Sequence, residues 1–306
     1  MKRFHSIYEA SGHIDNPILT VGAFDGVHKG HQAIVKKLNS LADERGGSSV
    51  LLTFSPHPRR VLQPDSELKC ITTTAEKLAL FERYGLQNAI VHPFTPAFSR
   101  IESGSFVRDF LVDRLAVRVL VVGYDHRFGR DRAGDWNDLL ELSKCYGFGV
   151  AEVDAQEIDG ISVSSTAIRH ALATGDLATA NRFLGYDYCF TGVVVRGDGL
   201  GEELGFPTAN IRVSEEKLMP AVGVYATRVA YRQNTYGGMA SIGYRPTVAG
   251  RDLRIEVHLF DFNASLYGEP LQVSFVARMR DEIQFKTLGE LVQQLKRDRE
   301  RALRLI

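Results

Sequence analysis

Short apolar runs punctuate the first 184 residues: Ile18–Val21, Val50–Phe54, Ala89–Val91, Val117–Val122 and Phe148–Val153. They recur roughly every thirty to forty residues, the spacing of strand-helix-strand units. Helical periodicity fills the gaps. Ile34, Val35, Leu38, Leu41 and Ala42 share one face of a helix that Gly46-Gly47 would end. Leu78, Leu80 and Phe81 mark a second helix, and Phe106, Phe110 and Leu111 a third behind the cap candidate Ser103. Near-continuous apolar strands such as Val119-Leu-Val-Val122 predict burial on both faces. The expected fold of this part is therefore α/β, a parallel sheet flanked by helices. In such sheets ligands sit beyond the carboxyl ends of the strands.

The pattern changes after Phe183-Leu-Gly-Tyr186. Strand-like segments at 188–195, 223–231, 236–242, 253–261 and 271–277 follow one another with little helix between them. That order predicts a small antiparallel β-barrel. Leu288, Leu291, Val292 and Leu295 then form one apolar stripe on a C-terminal helix. The expected domains are residues 1–184 and 185–306.

Composition adds mostly exclusions. A chain of 306 residues can bury a core in each domain. Lys plus Arg equals Asp plus Glu at 37 each, which gives no bulk attraction to nucleic acid or an anionic membrane. Cys70, Cys145 and Cys189 are too few and too scattered for a disulfide framework or a zinc site. A reducing cytoplasm is the expected compartment. Neither an apolar signal core at the start nor a run of membrane-spanning length is present.

The densest chemistry lies at Leu19–His31, where an apolar strand runs through Gly22-Ala-Phe-Asp-Gly-Val into His28-Lys-Gly30-His31 and a helix. A G-x-x-x-x-G-K-S/T loop is absent, and no strand leads into G-x-G-x-x-G and a helix, which argues against P-loop and dinucleotide folds. Two imidazoles beside free helix N–H groups can hold a triphosphate and neutralise charge at its α-phosphorus. Gly30 lets the backbone come close. Taken alone, H-x-G-H fits equally well a helix that merely begins on two surface histidines. A second helix start, Ser164-Ser165-Thr166 with Arg169, offers hydroxyls, N–H groups and a guanidinium. Alone it reads as an ordinary cap; beside the histidines it reads as the other jaw of a nucleotide site.

In the second domain the chemistry centres on Leu204-Gly-Phe-Pro-Thr208-Ala-Asn210. In an extended segment Thr208 and Asn210 point the same way. Their oxygens are hard ligands suited to Mg²⁺, although such residues are also common turn formers. Glu256 lies on the face opposite Ile255, Val257 and Leu259, where a solvent-facing carboxylate is the plainer reading.

These segments together resemble the bacterial bifunctional riboflavin kinase/FAD synthetase family. The first domain is similar to its FMN adenylyltransferase half through Gly22–His31, Ser164–Arg169, Thr53-Phe-Ser-Pro-His-Pro58 and Val122-Gly-Tyr-Asp-His-Arg-Phe-Gly129. The second is similar to its riboflavin kinase half through six segments, G-F-P-T-A-N, Gly223–Ala226, Ile242–Thr247, Glu256–Phe262, Leu266–Gly268 and Met279–Phe285. The resemblance implies ATP-dependent phosphorylation of riboflavin to FMN, then adenylylation of FMN to FAD with release of pyrophosphate. It implies ATP contacts in the first domain at Gly22, Ala23, Phe24, Gly30, Ser164, Ser165, Thr166 and Arg169, with His28 and His31 catalytic. Flavin contacts there would be Phe54, His57, Pro58 and Asp125; His126, where many members carry Phe, is assigned no role. In the kinase half it implies ATP contacts at Gly201, Gly205, Thr208 and Asn210, with Thr208 and Asn210 also holding Mg²⁺. Glu256 would be the general base, and Arg280, Glu282 and Phe285 would lie near the flavin. Riboflavin, FMN and ATP are then the partners, and neither nucleic acid nor membrane is one. Glu202, Ser241 and Ser265 depart from the family's usual residues, all in the kinase half. Glu202 and Ser241 leave open an adenylyltransferase with a degenerate flavin-binding kinase module, and a non-catalytic flavin sensor is the more remote reading.

Overall fold

Six parallel strands build the first part of the chain: β1 (Lys2–Phe4), β2 (Pro17–Val21), β3 (Ser48–Ser55), β4 (Asn88–Pro93), β5 (Val119–Gly123) and β6 (Gly149–Val153). Their order across the sheet is β1-β4-β3-β2-β5-β6. The structure is a computed structural model and describes residues 1–306 except 125, 126, 131–133, 198, 248 and 249. The chain divides into two compact units, Met1–Ser164 and Ser165–Ile306.

Every side chain of β2 is buried, because successive residues feed opposite layers. Leu19 and Val21 pack with Val50, Leu52, Ile90 and Val122 on one face. Ile18 packs on the other with Leu51, Ala89, Val119, Val121 and the apolar stripe of α1 (Lys29–Glu44). Each such aliphatic side chain contributes about 1.5–3 kcal/mol on burial. α2 (Thr74–Arg83) closes the same face through Leu78 and Phe81. β1 has only three residues, two of them exposed, so it carries no apolar run that a sequence pattern would register.

The helix expected behind Ser103 starts one residue earlier and changes form. Glu102 is its N-cap, a single turn covers Ser103–Ser105, and a π-helix continues over Phe106–Val112. The wider turn is visible in the bonds Asp113 N–H to Arg108 O (2.9 Å) and Leu115 N–H to Phe110 O (3.1 Å). It stacks the Phe106 and Phe110 rings 6.0 Å apart. α3 (Trp136–Tyr146) leads into β6, and a short hairpin, β7 (Glu157–Ile158) and β8 (Ile161–Ser162), precedes the end of this unit.

The second unit opens with α4 (Ser165–Thr174) and α5 (Leu177–Leu184). A closed antiparallel barrel follows, in the order β10-β13-β12-β11-β14-β9. Its strands are β9 (Cys189–Val195), β10 (Ala209–Arg212), β11 (Gly223–Tyr231), β12 (Asn234–Thr247), β13 (Gly250–Leu259) and β14 (Pro270–Arg280). The four-residue β10 joins the five strands that alternation predicts. Helices α4 and α5 continue the α/β pattern in sequence but bond to the barrel. Asn181 donates to Phe275 O (2.9 Å) and accepts from Tyr188 N–H (2.7 Å), and Ala221 N–H donates to Leu172 O (2.9 Å). Tyr188, Phe190, Tyr225 and Phe275 are fully buried aromatics of this unit.

The C-terminal helix α6 (Leu288–Leu305) lays Val292, Leu295 and Ala302 on Phe206, Val224, Met239, Phe260 and Met279. A buried ion pair pins it. Asp298, 3% exposed, takes Nε and Nη2 of Arg280 at 2.7–3.1 Å and Nε2 of Gln294 at 2.9 Å. Removing one partner of a buried pair strands the other charge, at a cost of about 3–5 kcal/mol. Asp298→Ala should therefore lower the stability of the second unit by about 3 kcal/mol. Arg280→Met with Asp298→Leu should recover most of it, as read by urea unfolding and hydrogen exchange of barrel amides.

Candidate functional site

At the carboxyl end of β2 the chain leaves the sheet through a turn held by buried polar groups. Gly22 N–H still donates to Leu52 O (3.0 Å), and then the backbone turns left-handed at Phe24 (φ 49°), Gly26 (φ 86°) and Val27 (φ 37°). The Ala23 carbonyl accepts from Lys77 Nζ (2.5 Å) and from Thr53 Oγ1 (3.3 Å). Asp25 accepts from Ile71 N–H (3.1 Å), Thr72 N–H (3.0 Å) and the Thr72 hydroxyl (3.3 Å). That hydroxyl in turn accepts from Gly26 N–H (3.0 Å).

His28 is the N-cap residue of α1 and forms no side-chain cap bond, so the helix N–H groups keep their positive end exposed to whatever binds there. The His28 and His31 rings stack 3.6 Å apart at 20°, and Phe24 meets His31 edge-on at 4.8 Å. Space at Gly30 is tight: a Cβ there would lie 3.2 Å from the His28 ring, which would have to give way by a few tenths of an ångström. The carbonyl of Val163 is 3.9 Å from the same point, so the chain passes this turn just before the first unit ends. His31 Nδ1 is buried without a hydrogen-bond partner among the described residues. Burial, then the His28 and Lys77 charges, hold the His31 pKa well below the ordinary histidine range. The result is a neutral His31 imidazole at a helix start near pH 7.

The other expected residues fall in several places. Phe54 is 8% exposed and packs on Phe94 (5.4 Å) and Phe98 (5.6 Å), so it is the edge of an aromatic core. His57 caps the helical turn Pro58–Leu62 by accepting from Arg59 N–H (3.2 Å). Asp125 and His126 lie outside the described residues. Ser164 closes the first unit, whereas Ser165, Thr166 and Arg169 stand in the opening turns of α4, in the second.

In the barrel, strand register does the assembling. Asn210 on β10 pairs with Glu256 on β13, and Glu256 with Ser241 on β12, which puts all three on one face. Arg254 lies 3.7 Å from the Glu256 carboxylate. A Cβ at Gly201 would come within 3.0 Å of Thr208 Oγ1, and one at Gly197 would collide with the Asn210 amide. Both side chains therefore project toward one glycine-bearing loop, as the alternation predicts. Oxygens of a hydroxyl and an amide, crowded by glycines that leave room, suit a hard cation such as Mg²⁺. His258 Nδ1 bonds to Pro207 O (2.7 Å) and steadies the same loop. A cleft of about 480 Å³ opens there, lined by Gly205, Phe206, His258, Lys296 and Arg299 among others. Glu202 is exposed, Glu282 packs against Gly243, and the Arg280 guanidinium is engaged by Asp298.

Sequence reading gave no role to Asp25, Thr72, Lys77 or His258. A signal existed for Lys77: it lies four residues before Phe81, on the buried side of α2.

Comparison with known proteins places both halves. A family model described as FAD synthetase matches residues 12–167, and one described as riboflavin kinase matches residues 184–306. Curated proteins named bifunctional riboflavin kinase/FMN adenylyltransferase include one from Listeria monocytogenes, 38% identical, covering 92% of this chain and 90% of its own. Another from Haemophilus influenzae is 35% identical and covers 99% and 98%. A solved chain from Streptococcus pneumoniae, described as a macrolide-efflux protein, has 31% identity, a TM-score of 0.89 and 97% coverage of both chains. Among the described residues of the present chain, no helix is long and apolar enough to cross a membrane.

The His31 environment has a pH consequence. Its folded pKa lies below the unfolded value of about 6.5, so the unfolded chain takes up a proton first on acidification. This contribution to stability is whole above about pH 6.5 and is lost as pH falls through the folded value. His31→Gln should therefore lose less stability than wild type between pH 7.5 and 5.5, measured by urea unfolding with the single tryptophan, Trp136, as reporter.

Proposed function

Because this chain belongs to the bifunctional riboflavin kinase/FMN adenylyltransferase family, we propose that residues 185–306 phosphorylate riboflavin to FMN and residues 1–184 adenylylate FMN to FAD. Each step consumes one ATP. The observation that carries this reading is that both family matches lie on one chain, each over its own phosphate-handling geometry. That pairing favours two activities over an adenylyltransferase with a degenerate partner, and over a sensor.

In the kinase half, Glu256 takes the proton from the ribityl 5′-hydroxyl as that oxygen attacks the γ-phosphorus, and ADP leaves. The register beside Asn210 supports this role, since it sets the base next to the phosphate-holding residues. Thr208 and Asn210 are the residues that would hold Mg²⁺, which supplies charge neutralisation on the phosphates when bound. Gly201 and Gly205 leave room for the nucleotide, and the cleft beside Phe206 and His258 takes the rest of it. Glu282 and Phe285 border the flavin, while Arg280 shapes that side through its hold on α6.

In the adenylyltransferase half, an FMN phosphate oxygen attacks the α-phosphorus of ATP, the bond to the β-phosphate oxygen breaks, and pyrophosphate leaves. A phosphate monoester is largely ionised at neutral pH (second pKa about 6), so no strong base is needed. Charge stabilisation carries the step, from His28 and His31 and the backbone of Gly22, Ala23, Phe24 and Gly30. Phe54, His57, Pro58 and Asp125 border the flavin. The cytoplasm suits a chain in which no disulfide joins its three cysteines.

Incubation of the protein with riboflavin and Mg-ATP, followed by chromatography, should yield both FMN and FAD; absence of either product removes that activity. His28→Ala or His31→Ala should slow FAD formation by about a hundredfold or more while FMN accumulates. Glu256→Ala should slow riboflavin phosphorylation by about 10²–10⁴-fold and spare FAD formation from supplied FMN. Loss of both reactions from either change in a folded protein would refute the two-site division.

A further inference from the structure

Lys77 is buried, 4% exposed, one turn inside α2. A lysine taken out of water is costly unless something uses its charge and its donors. Its Nζ donates to the Ala23 carbonyl at 2.5 Å and lies 3.5 Å from Thr53 Oγ1, which donates to the same carbonyl. Two donors thus hold one carbonyl oxygen inward.

That has a stereochemical consequence. In a planar trans peptide the C=O and the N–H of one unit point in opposite directions. The unit joining Ala23 to Phe24 is trans, Ser55-Pro56 being the one cis bond among the described residues. With the Ala23 oxygen drawn toward Lys77, the Phe24 N–H must face away from it. No acceptor meets that N–H among the described residues. Phe24 itself is left-handed, and its ring folds back over Gly22 and onto His31. Consecutive N–H groups around a left-handed residue make a small anion-binding concavity.

Resting on the adenylyltransferase reading above, we propose that Lys77 is a positioning residue of adenylyl transfer, which pins the Ala23 carbonyl and so presents the Phe24 N–H to a phosphate oxygen of the substrate. Lys77 does not itself touch the substrate. Its charge also reaches His31 and, after burial and the His28 charge, opposes protonation of that imidazole. Ionisable groups on the segments that meet here include His31 at the helix start, Asp25 in the turn and, on its own helix, Glu76. The last is held by Thr73 N–H (2.9 Å) in a capping box, and Asp25 by the 71–72 backbone.

The test compares wild type, Lys77→Met and Lys77→Arg. Met keeps the length and apolar stem and removes charge and donors; Arg keeps both. With folding verified by circular dichroism and Trp136 fluorescence, K77M should lower kcat for FAD formation from FMN by about a hundredfold, the usual cost of a misplaced catalytic group. Its KM for ATP should change by less than about threefold, because the imidazoles and the helix start still bind the phosphates, and the misplaced N–H is felt mainly in the transition state. K77R should recover at least part of the rate. The His31 titration, followed by NMR, should move up in pH in K77M and stay low in K77R.

A folded K77M with wild-type kcat, an unmoved His31 titration, or a K77R as slow as K77M would each overturn the proposal. Should K77M not fold, the wild type decides through its Phe24 amide, observed with selective ¹⁵N-phenylalanine labelling. Inorganic triphosphate should shift that resonance, and an unmoved one overturns the proposal. If wild type makes no FAD from FMN and ATP, the adenylyltransferase reading fails on its own, and the amide measurement still decides about Lys77.

Discussion

Asp25 and Lys77 sit almost out of water, at 3% and 4% exposure, and the turn between β2 and α1 takes its shape from satisfying them. The carboxylate consumes the backbone N–H groups of Ile71 and Thr72, and the ammonium consumes the Ala23 carbonyl. Each bond fixes one peptide of the turn or of the segment beneath it. A buried polar network of this kind is costly when half-made and rigid when complete. Rigidity here falls where it is useful, at three residues with positive φ, two of them not glycine.

The barrel reaches a comparable result by a different constraint. The hydrogen-bond ladder arranges Asn210, Glu256 and Ser241. Alternation has a period of two, so a slip of one residue in β13 would turn Glu256 into the barrel interior and bring Val257 to its place. Val257 and Ile255 are almost wholly buried, which makes that slip expensive. The hydrophobic core therefore holds the carboxylate in register without touching it.

Much of this was legible in the chain. Apolar runs long enough to be buried on both faces gave the parallel sheet, and close successive strands gave the barrel. Thr208 and Asn210 were placed on one side by alternation alone. What escaped detection has physical reasons. β1 is too short and exposed to carry a pattern, and the π-helix breaks the 3.6-residue period that defined its apolar face. Lys77 and Asp25 are charged residues whose partners lie 54 and 46–47 positions away, so no local spacing could reveal them. Arg280 was read as a flavin neighbour on resemblance, and its partner on α6 is a contact that only the folded chain brings together.

The crowding at Gly197 and Gly201 bears on how genetic data for such a protein would be read. Neither residue has a side chain to act with, yet even a methyl at either position would press on Asn210 or Thr208. In a saturation scan scored by growth, both would register as intolerant as a true catalytic position. An intolerant glycine would there mark the space its neighbours occupy, and the chemistry would belong to those neighbours.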